Sequence, residues 1–294
     1  MSTNLKPAPV ITLNDGATIP QLGFGTLAVQ PDRSSSPANI ETTARIVTSA
    51  LRAGYRHIDT AQAYGTERGV GRAIATSGIP RNELYLTSKL ANANHGPDDV
   101  RRSFDQTLAD LGVDLLDLFL IHWPLPTLYS GDYVSTWQTI TEFVTEGRLR
   151  SAGVSNFHPT HLERIVAETG VVPAVNQFER HPYFANTATV AASRHRGIAV
   201  EAHSPLGHNR APLTDHTITG IAEASGKSTA QVILRWHIQH GNIAIPKSAR
   251  PERMHENIDI LTFELTPEQM ASIDALDRGE SGRVGPNPDT YEGV

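Results

Sequence analysis

No cysteine occurs in the 294 residues, which excludes disulfides, thiolate nucleophiles and cysteine-ligated metals. Blocks of like charge are missing as well: 25 Lys and Arg stand against 31 Asp and Glu, a net charge of −6, and no segment gathers one sign. A protein that works on nucleic acid or on an anionic membrane carries a basic patch, so neither is the expected partner. Long apolar runs are absent too. The most apolar stretch, "VDLLDLFLIHW", is short and holds two aspartates, so no membrane-crossing helix is expected. The first sixteen residues, "MSTNLKPAPVITLNDG", contain no apolar core of signal-peptide length, and the cytoplasm is the expected compartment.

What is present is a repeating unit. A helical-period stretch stops at a glycine and a short β-rich run follows, at Gly54, Gly78, Gly112, Gly147, Gly170, Gly197 and Gly241. Glycine is favoured just past a helix C-terminus because it enters the left-handed region without steric cost. These seven stops, with "QLGFGT" as a first strand, give eight strands alternating with helices. That pattern predicts an α/β fold, a (β/α)8 TIM barrel, forming one domain over residues 1–294. Ahead of it, "ITLNDGATI" alternates on both sides of Asp15-Gly16 and predicts a β-hairpin over about 10–20 with a tight primed turn. The strand-to-helix loops at 27–39, 123–133 and 203–216 are long, and a Gly/Pro-rich tail covers 279–294. Long loops at the C-terminal ends of strands mark the working face of a barrel.

Three polar residues end apolar runs on consecutive strands: Asp59 in "YRHIDT", Lys89 in "LYLTSKL" and His122 in "LFLIHWP". They converge at one barrel mouth, with Tyr64 in the loop just after Asp59. Asp59 then pairs with Lys89 and neither is an orphan charge. A lysine beside the phenol favours the phenolate, lowering a pKa near 10 by roughly 1–3 units. His122 would donate a hydrogen bond to the substrate, and Tyr64 would protonate an oxygen as charge develops on it, given a hydride donor nearby. Lys247, Ser248, Arg250 and Arg253 gather at the start of the last barrel helix, an expected anion site.

Several fragments fail their motifs. "GFGTLA" at 23–28 lacks the acidic partner of a dinucleotide fingerprint, and "GIAEASGKS" at 220–228 has the wrong spacing for a P-loop. "GVSNF" lacks the last glycine of a nucleophile elbow. "HPTH" at 158–161 begins a helix with no third metal ligand in view. No metal is expected.

Along essentially the whole chain, "GYRHIDTAQAYGTE", "LTSK", "LIHWP", "GVSNF", "VNQ" and "IPKS…R…EN" resemble the aldo-keto reductase superfamily in order and spacing. The nearest resemblance is to bacterial members of the 2,5-diketo-D-gluconate reductase type. The resemblance implies a catalytic tetrad of Asp59, Tyr64, Lys89 and His122, and an NADPH-dependent reduction of aldehydes, ketones or dicarbonyls. It implies that Ser155, Asn156 and Gln177 hold the nicotinamide carboxamide, and that His203 stands where a ring stacks on the nicotinamide. Ser204, Leu206 and Gly207 would approach the pyrophosphate. Lys247, Ser248, Arg250 and Arg253 would hold the 2′-phosphate, with Glu256 and Asn257 near the adenine. Phe24, Leu27, Ala91, Asn92 and Trp123, with Tyr129 or Trp137, would shape the substrate pocket. Leu27 and Ala91 replace bulkier walls of many relatives, which implies room for bulky ketones or dicarbonyls. The partner is then a small carbonyl compound and the protein a monomer. Relatives that reduce conjugated double bonds carry Glu at the position of His122, so histidine argues against that reaction. A nucleotide-binding regulatory protein and a metal-dependent barrel hydrolase are the other readings; the second has only Asp59 and His122 suitably placed.

Overall fold

The computed structural model describes residues 8–208 and 210–293. The ends of the expected span, 1–7 and 294, and Asn209 within the loop 203–216 lie outside the described residues. Strands β1 (Val10–Thr12) and β2 (Thr18–Pro20) pair antiparallel, Thr12 opposite Thr18. The hairpin is there, but its turn is not the expected primed type. Asn14 and Asp15 keep negative φ, Gly16 alone is left-handed at +86°, and its N–H bonds Leu13 O at 3.0 Å. That is a type I turn closed by a glycine bulge, which needs only one residue with positive φ.

The barrel strands are β3 (Phe24–Gly25), β4 (His57–Asp59), β5 (Tyr85–Leu90), β6 (Leu116–Ile121), β7 (Leu149–Ser155), β8 (Val175–Glu179), β9 (Ala199–His203) and β10 (Ile243–Ala244). All neighbours are parallel, in chain order from β3 to β10. A parallel bridge between Leu22 and Ala244 joins the two ends, with Gly23 N–H on Ala244 O at 2.9 Å. Helices α1 (Pro37–Ala53), α2 (Glu67–Thr76), α3 (Pro97–Leu111), α4 (Val134–Thr145), α5 (Pro159–Thr169) and α6 (Thr187–His195) fill the connections up to β9. Then α7 (His216–Ser225) and α8 (Thr229–Gln239) lead into β10, followed by α9 (Pro251–Ile258) and α10 (Pro267–Asp274). All seven expected glycine stops sit at φ between +67° and +111°. The rejected P-loop fragment has a plain purpose: Gly226 ends α7, and Ser228 caps α8 reciprocally with Gln231.

Strand parity sorts the side chains, because successive residues face opposite sides. Outward residues such as Phe24, Ile58, Leu86, Phe119 and Val154 join the helices in one large core. Inward residues form a second cluster in which Tyr85, Leu118, Leu120, Val175 and Ile243 meet Leu13 and Ile19 of the hairpin. The hairpin therefore plugs the end of the barrel opposite the mouth. Above this plug the inward positions turn polar: His57, Thr87, Ser151 and Glu201, then Asp59, Lys89, Ser155, Gln177 and His203, all but His203 fully buried. Gly23 is one reason the layer fits: a Cβ there would stand 2.6 Å from His57 Nδ1.

Candidate active site

Asp59, Lys89 and His122 come from the ends of the adjacent strands β4, β5 and β6. Lys89 is wholly buried, an arrangement that survives only with a counter-ion and full hydrogen bonding. Asp59 supplies both carboxylate oxygens at 2.7 and 2.8 Å, and Thr60 O accepts the third ammonium hydrogen at 3.0 Å. Desolvation, the largest single effect, works against the ammonium, but the charge and hydrogen bonds of Asp59 together with the Tyr64 and Glu201 groups raise the Lys89 pKa above its ordinary value.

Tyr64 closes a short 3-10 turn, Gln62–Tyr64, directly after β4. Its ring centroid lies 5.0 Å from Lys89 Nζ, and its hydroxyl 3.5 Å from His122 Nε2. The expected lowering of the phenol's pKa is corrected here. Burial pushes the Tyr64 pKa up, and Lys89 pulls it back without overcoming burial. Burial and the Lys89 charge hold His122 well below the ordinary histidine value, so its ring is neutral and can donate a single N–H. Arg33, exposed in the loop after β3, adds its positive field at both Tyr64 and His122. The sequence marked its loop, 27–39, as part of the working face, but nothing in the loop's residues singled out Arg33.

The predicted carboxamide residues surround this cluster. Ser155 ends β7 and Asn156 follows in the left-handed region, φ +62°. The Asn156 amide donates to His122 O at 2.9 Å and Ser155 Oγ at 3.1 Å, and its Oδ1 lies 3.0 Å from His203 Nε2. His203 is thus tied to Asn156; burial lowers its pKa to about 4 and keeps it neutral. Gln177 Nε2 donates to Asp59 Oδ2 at 2.9 Å, a link that sequence order does not show. Ser204, Leu206 and Gly207 follow β9 in a turn where Ser204 and Gly207 have φ of +50° and +72°.

At the corner after β10, Lys247, Arg250 and Arg253 are exposed, while Ser248 is buried with its hydroxyl on the Arg250 backbone. Glu256 and Asn257 lie further along α9. Burial, and then the charge of Arg210, lower the Lys247 pKa. Arg210 is therefore a fourth cation at this corner, absent from the sequence reading because it belongs to a different loop. Among the described residues none of the four forms an ion pair. A cluster of unpaired cations fits a phosphorylated nucleotide.

The pocket expectations divide. Leu27 and Ala91 are half-buried at the mouth. Asn92 donates to Gly293 O, and its own carbonyl accepts from the Tyr129 hydroxyl at 2.8 Å. Trp123 packs on Tyr291 with centroids 4.3 Å apart. Phe24 does not reach the mouth: Gly25 pairs with Asp59, so Phe24 has the opposite parity and lies edge-on to Tyr55 in the outer core. Trp137 is no loop residue either; it is fully buried in α4. The tail does join the working face. Glu179 accepts the Val284 and Gly285 N–H groups at 2.8 and 2.7 Å. Although burial opposes it, His181 and those amides hold the Glu179 pKa down at about 2. Asp289 Oδ1 is clasped by His158 and His161 at 2.9 and 3.3 Å, so "HPTH" caps α5 and fastens the tail.

Fold and site together define a (β/α)8 barrel whose mouth presents a lysine-backed phenol beside a neutral imidazole. Known proteins resemble this chain along nearly its whole length. A model of the aldo/keto reductase family matches residues 21–278. An aldo-keto reductase of Mycolicibacterium smegmatis is 49% identical over 284 residues, 97% of this chain and 98% of that one. Morphine 6-dehydrogenase of Pseudomonas putida is 43% identical, covering 96% of this chain and 95% of its own. A mutant of Gox0644 solved in complex with NADPH superposes with a TM-score of 0.89 at 40% identity, over 98% of this chain and all of that chain. The chain belongs to the aldo/keto reductase family.

Proposed function

We propose that the protein is an NADPH-dependent carbonyl reductase, acting as a monomeric single-domain barrel in the cytoplasm, with Tyr64 as general acid. The observation that carries this reading is the Asp59–Lys89 pair, whose ammonium lies 5.0 Å from the Tyr64 ring while His122 Nε2 stands 3.5 Å from the hydroxyl. NADPH, when bound, supplies the hydride. The chain's residues do the rest. Lys247, Arg250, Arg253 and Arg210 hold the nucleotide phosphates, with Ser248 shaping their turn, and Glu256 and Asn257 face the adenine. Ser155, Asn156 and Gln177 would hold the nicotinamide carboxamide, His203 would offer its ring to the nicotinamide, and Ser204, Leu206 and Gly207 would hold the pyrophosphate.

At the carbonyl, His122 donates a hydrogen bond and orients the oxygen, and Tyr64 gives its proton as negative charge appears there. Lys89 stabilises the phenolate that remains. A phenol kept protonated by burial suits the reductive direction. Leu27 and Ala91 leave the mouth wide, while Asn92, Trp123 and Tyr291 form its wall. This favours bulky ketones or dicarbonyls, in keeping with the 2,5-diketo-D-gluconate reductase type. The test is NADPH oxidation with phenylglyoxal. Tyr64→Phe is expected to lose about 10²–10⁴ in kcat while NADPH still binds, and undiminished turnover in that variant overturns the assignment. The wide mouth is tested by a carbonyl panel, in which strict preference for small aldehydes contradicts it.

A further inference from the structure

Beneath the Asp59–Lys89 pair the barrel holds a second carboxyl that the reaction described above does not use. Glu201 is on β9, wholly buried and facing inward two residues before His203. Neither of its oxygens makes a full hydrogen bond among the described residues, although the Gln177 side chain stands close enough to favour the charged form; His57 Nδ1, Tyr85 Oη and Ser151 Oγ are equally incomplete, with the Pro20 backbone beside His57 and Ser151 beside Tyr85. These atoms belong to one layer. His57 Nε2 lies 3.7 Å from Glu201 Oε1 and 3.0 Å from Thr87 Oγ1, and the His57 and Tyr85 rings meet edge-on at 5.2 Å.

A charge count settles the state of Glu201. The interior has one ammonium, Lys89, and Asp59 already takes it with both oxygens. An ionised Glu201 would be a second buried carboxylate with no cation of its own, which burial makes costly enough to force protonation. Burial, reinforced by the Asp59 charge and opposed by Lys89, raises the Glu201 pKa to about 8. Burial also lowers the His57 pKa to about 4. The approach of His57 to Glu201, at ion-pair distance, is therefore a contact of two neutral groups.

Gln177 links this layer to the site. It is the register partner of Glu201 on the neighbouring strand, and its amide donates to Asp59 Oδ2 at 2.9 Å. Building on the carbonyl-reductase reading, we propose that Glu201 is a positioning residue whose neutral carboxyl sets the charge of the Asp59–Lys89–Tyr64 chain. Loss of its proton places a second negative charge under Asp59 and Lys89, so Lys89 binds its protons more tightly and Tyr64 becomes a weaker acid. The groups facing Glu201 are His57 and Asp59 from β4, Tyr85 and Lys89 from β5, and Gln177 from β8. Across β10 its register partner is the apolar Ile243.

The experiment compares wild type with Glu201→Gln, which keeps the shape and cannot ionise. The ratio of variant to wild-type kcat for carbonyl reduction is measured from about pH 6 to about pH 10. The expected ratio is level at the acid end and rises roughly three- to tenfold as Glu201 ionises. A ratio constant over the whole range means that Glu201 only packs the barrel, and overturns the proposal. Infrared difference spectra of the full-length protein give a second reading without turnover. Wild type at neutral pH is expected to show the carbonyl stretch of a protonated buried carboxyl that the variant lacks. If that band is missing, Glu201 is not neutral and the proposal fails even in an active enzyme. If wild type turns over no carbonyl compound, the reductase reading fails separately, so the two failures are told apart.

Discussion

Glu201→Gln also has a thermodynamic signature that can be worked out in advance. Burial in the folded barrel pushes the Glu201 pKa up from a glutamate's ordinary 4.5 to about 8. The folded state therefore holds this proton more tightly, so its contribution to stability is complete below pH 4.5 and declines as pH rises to about 8. At about 1.4 kcal/mol per pH unit the whole decline is several kcal/mol, and roughly half of it falls between pH 5 and pH 7. Glutamine has no proton to lose. The unfolding free energy of the variant relative to wild type should thus improve by roughly 2–3 kcal/mol on going from pH 5 to pH 7. Urea titrations of both proteins at the two pH values measure this difference of differences. Titrating groups not coupled to Glu201 cancel, as does any fixed cost of burying an amide. An unchanged difference between the two pH values would show that Glu201 is ionised in the folded protein, and the charge count for the barrel interior would be wrong.

Asp59→Asn should destabilise the fold by about 3–5 kcal/mol in chemical denaturation, because it leaves the Lys89 ammonium buried without its counter-ion. Glu201 is the carboxyl in the layer just beneath, so adding Glu201→Gln should cost more in the Asp59→Asn background than in wild type; simple additivity in the double-mutant cycle argues against the coupling. Replacing Lys247 and Arg253 together by alanine should lower affinity for NADPH by about 10- to 100-fold while leaving NADH binding nearly unchanged, as followed by fluorescence titration. Equal loss for both nucleotides places the 2′-phosphate elsewhere. Tyr291→Ala, which strips the tail's ring from Trp123, should alter KM for a bulky ketone severalfold at constant kcat for a small aldehyde, and identical KM values would remove the tail from the pocket wall.

Much of the architecture could be read from residue order because two local rules repeat along the chain. Glycines at helix ends mark where each helix stops, and the structure puts all seven in the left-handed region. Apolar runs ending in Asp59, Lys89 and His122 mark the mouth. Errors arose where parity was not carried through. Asp59 pairs with Gly25, and counting alternately from there turns Phe24 away from the pocket. The same count from His203 leads back to Glu201, so the buried carboxyl was accessible to sequence reasoning. Other features are long-range and left no local mark. The Gln177–Asp59 bond spans 118 positions and the Asn92–Gly293 bond 201. Arg210 reaches the phosphate corner from another loop, and the net pKa direction at Tyr64 depends on burial that only the packed structure reveals.

The hairpin plug makes the barrel a vessel with one opening. Leu13 and Ile19 pack across its floor with the apolar inward residues, which leaves the polar mouth as the route by which protons would reach His57 or Glu201. Whatever occupies that mouth acts as a stopper. The inner layer would then keep, through each catalytic cycle, the protonation state it had when the stopper went in, and it would answer a sudden change of external pH only when the mouth next clears.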